Sequence, residues 1–189
     1  MDSKEISMIR TVFMALAAAI ALPGVSARAA DMSSFTAGPV FSEYGKIASV
    51  ESDLPVSPET HFKVIFDAKE GAKPGDVVRT FDSVARFVNM NVAAGVPEKN
   101  IEVALVVHGP ASWFLTNADA FARHDPERIN DSAPLVKQLV AHGVTIYLCG
   151  QSAVANGIAK SDLLPGVKLS LSAMNAFAQL QQQGYVLIP

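Results

Sequence analysis

Three features of the chain predict an α/β domain in three layers, a mostly parallel five-stranded sheet with helices on both faces. Short β-prone apolar runs alternate with helical stretches from His61 onward. The runs are hydrophobic almost throughout, as strands buried on both faces must be, and glycine and proline punctuate their ends. Right-handed crossovers between parallel strands then place helices on the two faces.

At the N-terminus, Lys4 and Arg10 precede an apolar run from Val12 to Leu22, and Pro23 and Gly24 lead into Ala27-Arg28-Ala29. A charged start, an apolar stretch and an A-x-A site predict a secretory signal peptide over residues 1–29, cleaved after Ala29. The run reaches roughly half of the ~20 apolar residues needed to cross a bilayer. Met8 offers a second start, because Met8-Ile9-Arg10 omits Asp2 and Glu5. Removing 29 of 189 residues leaves 160, the size of one domain, with 12 basic and 16 acidic side chains. No basic stripe remains to release counterions, which argues against a nucleic-acid partner. No later apolar run reaches spanning length, so the mature chain is expected to lack a membrane span and to be periplasmic or secreted.

Residues 30–60 lack a sustained apolar period, and Pro39, Pro55 and Pro58 interrupt any regular element. They read as an extended N-terminal arm, yet Phe35, Val40, Phe41, Tyr44 and Ile47 are too apolar for a free tail. The domain proper spans 61–189. Phe62 to Phe66 is a strand; Val77, Phe81, Val84 and Val88 then recur at helical spacing up to Gly95 and Pro97. Ile101 to Val107 is a second strand, ending at His108-Gly109-Pro110, and a short helix is expected from Ala111. Arg123 to Asp131 reads as a surface loop, Pro134 to His142 as a helix stopped by Gly143, and Val144 to Leu148 as a third strand. A helix is expected from about Ala153 to Ala159, a fourth strand at Val167 to Leu171, a helix at Ala173 to Gln183, and a fifth strand at Tyr185 to Ile188.

In an open parallel sheet, ligands and reactive groups collect outside the carboxyl ends of the strands. Two chemically useful residues fall at such ends, His108 after the second strand and Cys149 after the third. If these strands are neighbours, both side chains can face one crevice. Cys149 is the single cysteine, so no internal disulfide is available to it. It also precedes a helix whose first N–H groups would favour the thiolate. The competing interpretation is packing, since free cysteine is among the most buried residue types and this one follows the apolar run Val144 to Leu148. His108 is either a base or electrostatic partner for the thiol, or an imidazole bonded to a loop carbonyl. Gly109, Gly150, Gln151 and Ser152 flank the pair and are the candidate ligand-binding positions.

His61, His124 and His142 lie scattered, without HxxxH, HxH or CxxC spacing, so no metal site is expected. G-x-G-x-x-G, Walker A and G-x-S-x-G sequences are missing, and Gly109-Pro110-Ala111-Ser112 lacks the glycines of a phosphate loop, so no nucleotide cofactor is expected. Asp125, Glu127 and Asp131, with Arg123 and Arg128, read as solvated surface.

Phe62-Lys63-Val64-Ile65-Phe66-Asp67, Asn91 to Pro97, Val106-Val107-His108-Gly109-Pro110-Ala111 and Val144 to Ser152 together resemble the DsrE/DsrF-like sulfur-oxidation and sulfur-relay family, over about residues 60–189. The third strand running into Cys149-Gly150 is the most specific part. The resemblance implies a small three-layer, DsrE/flavodoxin-like α/β domain that assembles into trimers or hexamers. In active members a cysteine at the start of the helix after this strand carries sulfur as a persulfide, and Cys149 matches that position. His108 is similar to a residue common in this subgroup. The signal peptide is a departure, because the best understood members act in the cytoplasm. Two functions follow: an exported sulfur carrier that exchanges with a thiol- or persulfide-bearing partner protein, or a non-catalytic oligomeric binding module in which Cys149 only packs.

Overall fold

Strands β1 (Phe62–Ala68), β2 (Ile101–Val107), β3 (Thr145–Cys149), β4 (Lys168–Ser170) and β5 (Val186–Ile188) form one sheet, and every neighbouring pair is parallel. The computed structural model describes residues 31–188, and the expected signal peptide lies outside the described residues. Strand order is β4-β3-β2-β1-β5. The chain steps in one direction from β1 to β4 and then returns past β1 to place β5. Right-handed crossovers therefore put the first three connections on one face and the last on the other.

Burial follows that division. Val64, Phe66, Val103, Leu105, Ile146 and Leu148 point into the larger core, which is filled from helices α1 (Arg79–Ala93), α3 (Ala133–Ala141) and α4 (Gly150–Ala155). Ile65, Ala104, Val106 and Cys149 point the other way and pack against α5 (Ala173–Gln182), through Ala173, Ala176 and Leu180. Alternation of side chains along each strand fixes this assignment. Alanine at 104, 173 and 176 lets α5 approach the sheet closely.

α1 buries Phe81, Val84, Ala85 and Val88, the spacing of one helical stripe. The next buried residue, Asn89, is polar. Its Oδ1 accepts the N–H groups of Val40 and Phe41 at 3.0 and 2.9 Å, and its Nδ2 donates to the carbonyls of Phe41, Tyr44 and Gly45. One side chain thus supplies the hydrogen bonds that an arm without ladders cannot make for itself. The arm packs on its own domain, with Phe41 fully buried.

Where one short helix is expected from Ala111, the chain forms two elements. A 3₁₀ helix covers Gly109–Leu115, and α2 covers Ala118–His124, entering the stretch read as loop. Asn117 divides them: its side chain accepts the Ala120 N–H at 2.9 Å and starts a new helix.

Candidate functional site

α4 leaves β3 toward one face of the sheet and α5 follows β4 on the other. β3 and β4 are neighbours, so the helices diverge at their carboxyl ends, where a crevice opens. It has a volume of about 390 Å³ and is lined by Asp67, His108 and Cys149 at the strand ends, Gln151 of α4, Ser172 before α5, and Ala173, Met174 and Phe177 of α5. Among the described residues its titratable side chains are Asp67, His108 and Cys149.

Register explains the convergence. Val107 pairs with Leu148, so the next positions, His108 and Cys149, lie side by side at the ends of β2 and β3. His108 stays extended, with φ −150° and ψ 179°, and continues the alternation of Ala104 and Val106 toward the α5 face. Its N–H donates to the Ala68 carbonyl at 2.9 Å, which ties it to β1. Asp67 occupies the same face as Ile65, and its Oδ1 lies 2.9 Å from His108 Nε2.

Cys149 is the residue before α4, which starts at Gly150 and not near Ala153. Cys149 is 5 % exposed as a residue and belongs to the apolar cluster under α5. Burial pushes its pKa up, but hydrogen bonds from the Ser152 N–H and hydroxyl and from the Ala173 and Gln151 N–H groups outweigh this, so the net shift is downward. Donors therefore reach the sulfur from the starts of two helices. Ser172 caps α5 by accepting the Asn175 N–H at 3.0 Å, which leaves the Ala173 N–H free to face the thiol. Because folding favours the thiolate, this group adds to stability above the unfolded thiol pKa, and the contribution fades as pH falls through the folded value.

The candidate ligand-binding positions divide between contact and support. Gln151 lines the crevice and its Nε2 donates to the Leu171 carbonyl at 3.3 Å. Gly150 is a spacing residue, since a Cβ there would stand 2.6 Å from the Ser170 carbonyl oxygen and 3.0 Å from that of Leu171. Ser152 Oγ accepts the Gly109 N–H at 3.1 Å, leaving its proton for the Cys149 sulfur. Gly109, at φ +57°, turns the chain after His108 and faces a separate cavity beside Trp113. Among the described residues no three His, Cys, Asp or Glu side chains cluster as metal ligands.

Two residues of the site carry no signal in the sequence pattern. Asp67 falls outside a strand ended at Phe66, whereas β1 runs on to Ala68. Ala173 acts through its backbone N–H, which becomes relevant only once β4 pairs with β3.

Two predictions follow from the donor set. In Ser152→Ala the thiol loses a donor and its pKa rises, so iodoacetamide alkylation at pH 7 should slow several-fold and its inflection move to higher pH. An unchanged profile would remove Ser152 from the site. Gly150→Ala should push the start of α4 away from the Ser170 and Leu171 carbonyls at the end of β4 and slow alkylation likewise, with stability reduced by about 1–3 kcal/mol in urea unfolding.

Two solved structures are similar to this chain, each at 19 % identity. They are the protein of unknown function MTH1491 from Methanobacterium thermoautotrophicum, with a TM-score of 0.47 over 67 % of this chain and 97 % of that one, and the ychN protein from E. coli, with a TM-score of 0.49 over 67 % and 96 %. No curated protein matches the sequence. The model of the DsrE/DsrF-like family matches residues 64–189, which is 126 of 189 positions and takes in nearly all of the sheet and the crevice, so the chain belongs to that family.

Proposed function

We propose that this protein is an exported sulfur carrier in which Cys149 accepts sulfane sulfur as a persulfide and passes it to an acceptor thiol. Family membership suggests a role related to sulfur relay. The observation that carries the finer reading is the thiol of Cys149 at the floor of an open crevice, with N–H donors from two helix starts lowering its pKa. In the transfer step the Cys149 thiolate attacks the outer sulfur of R–S–SH. A sulfur–sulfur bond to Cys149 forms, the bond to R–S breaks, and its electron pair leaves with R–S⁻; the other product is Cys149–S–SH. Sulfane sulfur changes carrier without an external oxidant.

Export rests on the tripartite N-terminus and assembly on the family resemblance. Exposed Leu169, Leu171, Met174, Val186 and Leu187 on β4, α5, β5 and the adjoining loop support a homo-oligomer, trimeric or hexameric. Light scattering of the mature chain should give more than one copy per particle; a monomer at micromolar concentration contradicts assembly. Cell fractionation with sequencing of the mature N-terminus should place it after Ala29 outside the cytoplasm, and an uncleaved cytoplasmic chain contradicts export.

One observation favours the alternative, a non-catalytic binding module. Cys149 is nearly buried against Ile65, Ala104 and Val106, as a packing residue would be. Alkylation of the native protein separates the two: a carrier reacts while folded, and a packed thiol reacts only on denaturation.

A further inference from the structure

We propose that Asp67 is a positioning residue that orients His108 to move the proton released during sulfur transfer at Cys149; this rests on the carrier reading above. A carboxylate only accepts hydrogen bonds, so the His108 nitrogen facing it, Nε2 at 2.9 Å, carries the ring proton. In the neutral ring Nδ1 is then the acceptor. Asp67, His108 and Cys149 stand at the carboxyl ends of three adjacent strands, β1, β2 and β3, and line one crevice.

Sulfur transfer from R–S–SH leaves a proton on the outer sulfur, now Cys149–S–SH, and a thiolate, R–S⁻. A perthiol is more acidic than the thiol that departs, so a base that takes the first proton and returns it to the second drives the exchange. His108 Nδ1 takes it, the imidazolium is held opposite the Asp67 carboxylate, and R–S⁻ receives it. Net charge is conserved: Cys149–S⁻ and R–S–SH become Cys149–S–S⁻ and R–SH. Asp67 touches neither sulfur and acts through the ring, as the carboxylate of a Ser-His-Asp triad does.

The Asp67 side chain is 42 % exposed, so Asp67→Ala should fold. The mature protein is loaded with inorganic polysulfide, and transfer to a small acceptor thiol is followed at pH 7. Asp67→Ala should lower the transfer rate about ten-fold or more, and Asp67→Glu should recover part of it. The iodoacetamide pH profile of Cys149 should stay close to wild type, because the donors to its sulfur are untouched. Nitrogen-15 spectra should show the Nε2–H tautomer of His108 in the wild type and a mixture in Asp67→Ala. A wild-type chain that takes up no sulfur overturns the carrier reading and this role together. Wild type that loads, with Asp67→Ala transferring at the wild-type rate or with an unchanged His108 tautomer, overturns the role of Asp67 alone.

Discussion

Cys149→Ser is expected to abolish sulfur uptake and thiol alkylation completely while leaving the fold in place. Serine is close to cysteine in shape, and its hydroxyl can accept the same Ser152, Ala173 and Gln151 donors that face the sulfur. Stability should therefore stay within about 1.5 kcal/mol of wild type in urea unfolding. A serine hydroxyl is almost wholly protonated at neutral pH and lacks the polarisable sulfur that forms a persulfide, so no residual carrier activity should remain. The result to measure is transfer from polysulfide to an acceptor thiol, beside the oligomeric state. A serine variant that still transfers sulfur would show that Cys149 is not the carrier.

Asn89→Ala should have the largest effect on stability, although the residue is far in sequence from the crevice. Its amide meets five backbone partners of the arm at 2.9–3.1 Å, its two Nδ2 protons shared among three carbonyls, and the residue has no solvent exposure. Alanine would leave those backbone N–H and carbonyl groups without partners, and each orphaned buried group costs about 1–3 kcal/mol. Release of the arm limits the total by rehydrating them, so a loss of about 3–5 kcal/mol is expected. Freed from Asn89, the arm should also withdraw Phe41 from the core. Hydrogen exchange of residues 40–45 should accelerate sharply, and urea unfolding should give the loss in stability. Gly45→Ala should act in the same direction, since Gly45 has φ +59° and its Cβ would collide with the backbone nitrogen of Arg86. Unchanged exchange in both variants would contradict the role given to Asn89.

Much of the fold was legible because the strands are buried on both faces and read as apolar runs. β2 was read with its bounds, and the all-parallel sheet is stricter than the mostly parallel one expected. Strand order was not legible, since it depends on which runs meet, and order leaves α5 alone on its face. The same limit hid Asn89, whose partners lie 44–49 residues away and which reads as one more polar residue of an amphipathic helix.

At the crevice, His108 and Cys149 were identified by position, and their adjacency was stated as a condition on β2 and β3 being neighbours, which they are. Asp67 is polar and follows the apolar run, so the pattern ends β1 at Phe66 although the strand continues to Ala68. The helix expected from about Ala153 starts at Gly150, although glycine is a poor helix former. Tertiary contact overrides that preference, as Gly150 is the residue that lets the helix start abut the Ser170 and Leu171 carbonyls.

Intact-protein mass of the native wild-type chain after incubation with inorganic polysulfide tests the central claim most directly. The account predicts sulfur-sized increments that disappear on reduction and are absent from Cys149→Ser. No added mass on the native protein, together with a thiol that alkylates only after denaturation, would contradict it and leave Cys149 as a packing residue of a binding module.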